Sequence, residues 1–271
     1  MTRSYKSPLR YPGGKSRAIH QILRRIPANM REYREPFVGG GSVYFAIRER
    51  FGKSLLYTIN DLNRDLYCFW LYVRDDLDLL ADRVQSFHTQ YSGRGRELYE
   101  FLTDEANMRS DFDRAVRFFI MNRITFSGVM DAGGYSHLAF EQRFTQSSID
   151  RLRALQSLLS SVTICNKDYE SIVLQEGEQV FIFVDPPYYS ATQSRLYGVR
   201  GALHTAFDHE RFAHVMRKCP HRWLITYDDS PFIRELFDFA HIEEWELQYG
   251  MNNFRQENAQ KGKELFISNY R

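Results

Sequence analysis

The stretch Val180-Phe181-Ile182-Phe183-Val184-Asp185-Pro186-Pro187-Tyr188-Tyr189 decides how this chain reads. Its first half is unbroken apolar sequence, and its second half is acidic, rigid and aromatic. An uninterrupted run of β-branched and aromatic residues fits a strand buried on both faces, and such strands belong to parallel sheets with helices on either side. Shorter apolar runs ending in turn residues occur at "YREPFVGGGS" (33–42), "SLLYTIND" (54–61), "VTICNKDY" (162–169), "RWLITYDD" (222–229), "IEEWELQYG" (242–250) and "KELFISNY" (263–270). Together they predict an α/β layer architecture.

Between the second and third of these runs the period changes. "NRDLYCFWLYVRDDLDLLADRVQSF" (63–87) carries Leu66, Phe69, Trp70, Val73, Leu77, Leu80 and Val84 at helical steps. "SDFDRAVRFFIMNR" (110–123) opens with Ser110 and Asp113 at capping-box spacing, and Ser147 and Asp150 repeat that spacing before "RLRALQSLL". A helical insert over 63–145 is expected inside a sheet domain made of 1–62 and 146–271. Gly93, Gly95, Gly128, Gly133 and Gly134 supply its loops.

With 271 residues, 43% of them hydrophobic, the chain can bury one large core, or one core and a small second one. No apolar run approaches the roughly 18 residues of a membrane span, and "MTRSYKSPLR" is polar and basic. A cytoplasmic protein without membrane contact is expected. Cys68, Cys165 and Cys219 are far apart and odd in number, which predicts reduced thiols and neither a disulfide framework nor a metal knuckle. Charge is nearly balanced, with 36 basic and 34 acidic side chains, yet residues 1–34 hold nine basic residues and one acidic. A polyanion could be held there, or a helix from about Lys15 to Ile26 could simply present a solvated basic face.

The strand ends carry the chemistry. In open α/β sheets ligands bind outside the carboxyl ends of the strands, where the strand order reverses. One run ends in Glu35-Pro36-Phe37-Val38-Gly39-Gly40-Gly41-Ser42, whose glycines let the backbone approach a ligand at the start of a helix. The next ends in Asn60-Asp61, where an acid about twenty residues past the glycines is placed to bond ribose hydroxyls. The others end in Asp168-Tyr169 and in Asp185-Pro186-Pro187-Tyr188.

That last tetrapeptide suits an exocyclic amine on a base, a poor nucleophile because its lone pair is delocalised into the ring. Asp185 can accept one N–H and the Pro186 carbonyl the other, which leaves the nitrogen lone pair aimed at an electrophile. Pro187 stiffens the turn and Tyr188 can stack on the base. A bland tight turn capping the strand is the competing reading.

Two superficial matches fail on spacing. "RYPGGKS" (10–16) has the Gly-Lys-Ser of a nucleotide P-loop, but Leu9 stands where the first glycine must be. "HERFAH" (209–214) puts its histidines five apart, whereas a zinc helix needs four, so no metal site is expected. His204 and Thr205 are expected to line the mouth of the active site instead.

With these pieces in order, the chain resembles the Dam-type, α-group DNA adenine N6-methyltransferases. The resemblance rests on "LRYPGGKS", "EPFVGGGSVYF", "IND", "FFIMNRITFSG", "CNKDYESI", "VDPPYY", "HTAFDHERFAHVM", "WLITYDD" and "GKELFISNY", which span almost the whole chain. It implies a Rossmann-like mixed seven-stranded sheet with an inserted helical target-recognition domain. It also implies transfer of the S-adenosyl-L-methionine methyl group to the 6-amino nitrogen of an adenine flipped out of duplex DNA.

By the same resemblance, Tyr11 lies near the cofactor, Lys15 meets its carboxylate, and Phe37 and Gly39 lie beside its methionine part. Asp61 bonds the ribose, Asp168 and Tyr169 hold the cofactor adenine, and Asp185, Pro186 and Tyr188 handle the target base. The anion at the "GGKS" loop is then a carboxylate and not a phosphate.

Asn122 to Asp131 would be the recognition hairpin, with Arg10, Arg123, Phe126, Ser127, Val129 and Asp131 as DNA-binding residues. Members that read GATC usually carry an aromatic, asparagine, leucine and arginine where this chain has Phe126, Ser127, Val129 and Asp131. Asp131 cannot donate to guanine as arginine does, so a target other than GATC is expected. Arg114 and Arg117 either contact phosphates or pair with neighbouring acids. A monomer is expected, with weak dimerisation and a cognate restriction endonuclease as further candidates. The alternatives are an amino-methyltransferase on cytosine, RNA adenine or glutamine, a non-catalytic DNA-binding relative, and an oxidoreductase. The last is disfavoured by Tyr44 where G-x-G-x-x-G needs its final glycine.

Overall fold

The computed structural model describes residues 7–11, 13–128, 133–155, 157–191, 207–247 and 262–271, with the Ser127 side chain left aside. Seven strands form one sheet: β1 (Glu32–Glu35), β2 (Leu56–Asn60), β3 (Val162–Cys165), β4 (Val180–Val184), β5 (Arg222–Asp228), β6 (His241–Leu247) and β7 (Gly262–Ser268). Their order is β3-β2-β1-β4-β5-β7-β6. The first five are parallel, and β7 enters antiparallel between β5 and β6. The sheet is mixed.

β4 lies at the centre and is buried at every position. Its side chains alternate between two apolar layers. Phe181 and Phe183 join the layer that contains Tyr44, Phe69 and Trp70, while Val180, Ile182 and Val184 join Phe212, Tyr227 and Phe237 on the other face. The period of two in a strand thus loads both faces, which is why the apolar run is continuous. The strand order reverses between β1 and β4, so the glycine turn after β1 and the Asp185 turn after β4 face one crevice.

Helix α1 (Ile19–Arg25) precedes β1, and α2 (Ser42–Phe51), α9 (Tyr169–Val173), α10 (His209–Lys218) and α11 (Pro231–Leu236) lie between strands. Among the described residues six more lie between β2 and β3: α3 (Arg64–Asp75), α4 (Leu77–Gln90), α5 (Gly95–Thr103), α6 (Asp111–Ile124), α7 (His137–Arg143) and α8 (Gln146–Arg153). The long apolar pattern from 63 to 87 is therefore two helices, broken at Asp76, whose backbone leaves the helical region. α6 is buried from Ala115 to Ile124 on every side, the signature of a central helix, and Phe69 of α3 packs on Phe118 and Phe119 at 5.6 and 5.9 Å between ring centroids.

Three local expectations are revised. Ser110 caps α6 by accepting from the Asp113 N–H at 3.1 Å, but its hydroxyl also donates to the Asp113 carboxylate, so the reciprocal bond to the Ser110 backbone does not form. The cap of α8 is Thr145 with Ser148, two residues before the expected Ser147, because Ser148 Oγ and the Thr145 N–H complete the box. The basic segment from Lys15 is also no uniform solvated face: a short 3-10 turn, Lys15–Arg17, precedes α1, and Lys15 is only 3% exposed.

Candidate active site

The parallel register sets Val184 beside Ile225, so Asp185 and Thr226 follow side by side at the strand ends. Thr226 Oγ1 donates to Asp185 Oδ1 at 2.8 Å. On its other flank, Lys15 Nζ lies 2.8 Å from Asp185 Oδ1 and 2.9 Å from Oδ2, and also donates to the Gly13 carbonyl at 3.0 Å. The same ammonium sits 4.8 Å above the Tyr188 ring, a cation–π contact. Tyr188 in turn donates to Glu264 Oε2 at 3.0 Å and stacks against Tyr227 at 5.9 Å.

The turn is held at its far end as well. Both Asp228 carboxylate oxygens accept from backbone, one from the Tyr189 N–H and one from the Ser190 N–H, each at 2.8 Å. Three successive residues of β5 therefore support one tetrapeptide: Thr226 its acid, Tyr227 its ring and Asp228 its exit. Pro186 is buried.

After β1, Gly39 and Gly41 adopt left-handed backbone (φ +46° and +71°), which an L side chain resists. Tyr11 covers this turn: a Cβ on Gly39 would meet its ring at 2.7 Å. The Gly39 N–H donates to Asp61 Oδ2, and the Asn63 N–H to Asp61 Oδ1, both at 3.0 Å. Burial still pushes the Asp61 carboxyl up to about 6, against these two bonds. Glu35, 2% exposed, accepts from Tyr33 Oη at 2.6 Å. Burial drives its carboxyl well above the usual carboxylate range and the Asp185 charge adds to this, outweighing the Tyr33 bond.

Beside them lies an aromatic wall. Phe37 packs on Tyr169 at 5.4 Å and on Phe207 at 5.8 Å. Asp168 caps α9 through the Glu170 N–H and receives both Arg211 nitrogens, at 2.8 and 3.0 Å. Burial would raise its carboxyl, but the Arg211 and Glu170 bonds hold it below the usual range.

The insert meets this centre through Trp70, whose Nε1 donates to the Gly39 carbonyl at 3.1 Å, and reaches the N-terminal loop through Asn122. Asn122 of α6 accepts from the Arg10 N–H at 2.9 Å and donates to the Arg10 carbonyl at 2.7 Å and the Gly128 carbonyl at 3.2 Å. The Gly128 backbone is left-handed (φ +75°), and a Cβ there would meet the Arg10 carbonyl at 2.5 Å. The hairpin is closed by Phe126 N–H to Gly134 carbonyl at 3.2 Å and by a bridge between Thr125 and Tyr135.

The expected site residues thus divide. Tyr11, Lys15, Phe37, Gly39, Asp61, Asp168, Tyr169, Asp185, Pro186 and Tyr188 come together around the carboxyl ends of β1 to β5. Phe126 stands out at 60% exposure. Arg123 is buried, its Nε finds no hydrogen-bond partner among the described residues, and desolvation with the nearby charges of Arg151, Arg10 and Arg143 lowers its guanidinium to about 9. Arg114 and Arg117 instead pair with Asp65, and Arg117 also with Glu105, so they serve the insert's own packing. Val129, Asp131, His204 and Thr205 lie outside the described residues. His209 bonds to Tyr227 Oη inside the fold. Thr226, Asp228, Glu264 and Asn122 went unassigned in the sequence. Each lies within a motif quoted above, but its partner lies in another segment.

A family model described as "D12 class N6 adenine-specific DNA methyltransferase" matches residues 11–251. The chain belongs to this family and is an adenine-specific DNA methyltransferase. Among similar proteins is the type II methyltransferase M.MjaIII of Methanocaldococcus jannaschii, 27% identical over 66% of this chain and 68% of the relative. The type II methyltransferase M.CviBI of Paramecium bursaria Chlorella virus NC1A is 22% identical over 98% of this chain and 100% of its own length. A DNA adenine methylase of Vibrio cholerae is 24% identical over 86% of this chain and 85% of the relative.

Proposed function

We propose that the chain transfers a methyl group from S-adenosyl-L-methionine to the 6-amino nitrogen of an adenine turned out of duplex DNA. The observation that carries this reading is the Asp185 to Tyr188 turn, fixed at both ends by β5 at the reversal of strand order. A pure DNA-binding module needs no such arrangement of a held carboxylate beside a held aromatic ring.

The residues present fit the cofactor. The left-handed glycine turn beside Phe37, the neighbouring Asp168 and Tyr169, and Asp61 match, in turn, an amino-acid part, an adenine and a ribose. Asp61 would bond the ribose, Asp168 and Tyr169 the adenine, Phe37 and Gly39 the methionine part with Tyr11 close by, and Lys15 the carboxylate. When bound, the sulfonium supplies an already activated methyl group. The protein's part is to strip the base from the stack, at a few kcal/mol, and to aim its amine. Asp185 and the Pro186 carbonyl take the two N–H groups, and Tyr188 faces the ring.

The helical insert, residues 63–145, is proposed as the target-recognition domain, and 1–62 with 146–271 as the catalytic one. Arg10, Arg123, Phe126, Ser127, Val129 and Asp131 are proposed to meet DNA. A site other than GATC is proposed from Asp131, an acceptor where guanine wants a donor. A plasmid grown with the protein should remain open to a nuclease that GATC methylation blocks; protection would contradict this part alone. Monomeric action in the cytoplasm, with or without a cognate restriction endonuclease, completes the reading. Among the described residues no helix is long and apolar enough to cross a membrane.

Incubation of the protein with DNA, RNA and protein acceptors and isotope-labelled cofactor tests the reading. Mass spectrometry should find label on DNA N6-methyladenine. Label on cytosine, RNA or glutamine, or none, would reject it.

A further inference from the structure

We propose that Thr226 is a positioning residue for methyl transfer, the fixed donor that orients the Asp185 carboxylate toward the target amine; this rests on the reading of Asp185 as the amine's acceptor. Thr226 is fully buried in β5 between Ile225 and Tyr227. A hydroxyl in that setting is costly unless it is bonded, and a valine of the same shape would suit the strand equally well. Its bond to Asp185 Oδ1 at 2.8 Å is the use the fold makes of it.

The carboxylate has two partners of different kinds. Lys15 reaches it from a flexible stem, and its ammonium touches both oxygens, so any amine that approaches Asp185 competes with it. Thr226 is uncharged and anchored in the sheet by pairing with β7 through Phe266. It keeps its bond whichever cation or amine is present. Holding Oδ1 fixes rotation about the Cβ–Cγ bond, so the remaining lone pairs stay directed at the crevice over Tyr188. Without that bond the carboxylate is free to turn with Lys15, and the amine meets an acceptor of undefined direction. A near-attack arrangement is sensitive to such errors.

The experiment compares the full-length wild type with Thr226→Val and Thr226→Ser, using labelled S-adenosylmethionine and a duplex containing the methylated site. Single-turnover rate, cofactor KM, DNA affinity and melting temperature are read for each. Thr226→Val should slow single-turnover transfer by about 10- to 100-fold, as expected for losing a hydrogen bond to a charged group. KM and DNA affinity should stay within about threefold, and Thr226→Ser should restore most of the rate. If Thr226→Val does not fold, Thr226→Ala provides the hydroxyl-free variant. A hydroxyl-free variant as fast as wild type, or a folded serine variant as slow as the valine one, would overturn the inference. A wild type that puts no methyl on DNA adenine would instead sink the functional reading beneath it.

Discussion

Lys15 Nζ lies 2.8 and 2.9 Å from the two carboxylate oxygens of Asp185, a residue 170 positions away in the chain. The loop that resembles a phosphate cradle is thereby tied to the turn proposed to receive the target base. Lys15 is 3% exposed and Asp185 22%, so neither charge is well hydrated. Removing one partner leaves the other stranded. Lys15→Met is expected to lower unfolding free energy by about 1–3 kcal/mol, measured in urea. Adding Asp185→Asn should recover part of that loss. Strict additivity of the two changes would show that the pair is not coupled.

Asn122 joins the insert to the N-terminal loop through both polar groups of the Arg10 backbone. Asn122→Ala should cost about 1–3 kcal/mol, because it leaves partly buried backbone groups unsatisfied. Its effect on function should fall on DNA affinity more than on cofactor affinity. Separate binding titrations with duplex DNA and with a cofactor analogue check this.

Gly128→Ala should act at the same joint by a different route. Its backbone is left-handed and a Cβ would press on the Arg10 carbonyl at 2.5 Å. A destabilisation of about 1–3 kcal/mol is expected from strain and steric shift. Gly134→Ala, also left-handed but with open space around its Cβ, should cost less. Equal losses in denaturant titrations would remove the Arg10 contact as the cause.

Asp61 gives a pH dependence whose sign is fixed. Its carboxyl is raised from 3.8 to about 6, so near pH 5 it is mostly protonated in the free protein and near pH 8 ionised. As the proposed acceptor for ribose hydroxyls it would serve best when ionised. Cofactor affinity should therefore rise with pH up to about 6 and level off above it, with protons released on binding below that point. Folding stability moves the other way: the folded state holds its proton over the window from 3.8 to about 6 where the unfolded chain has lost it, so this group's contribution falls as pH rises through that window. Calorimetric titration of wild type and Asp61→Asn checks the binding limb, which the variant should flatten.

The sheet was legible because burial on both faces leaves a mark that each strand carries by itself, as in Val180 to Val184. The strand ends were legible for the same reason, since Asp185 follows directly on an apolar run and Asp61 and Asp168 come within three residues of one. What the sequence did not disclose is pairing across distance. Thr226 is an ordinary strand threonine until β4 and β5 are set in register, and nothing local to Lys15 shows that its loop folds onto Asp185. The shift of the α8 cap from Ser147 to Thr145 shows the other weakness: two hydroxyls near one helix start offer the same local signal, and only the structure shows that Thr145 pairs with Ser148.

The most direct test is N6-methyladenine formed in duplex DNA by wild type and by Asp185→Ala under single-turnover conditions, with DNA binding measured in parallel. The account predicts methylation by wild type, loss of it in the variant, and DNA affinity largely unchanged. Undiminished methylation by Asp185→Ala would contradict it.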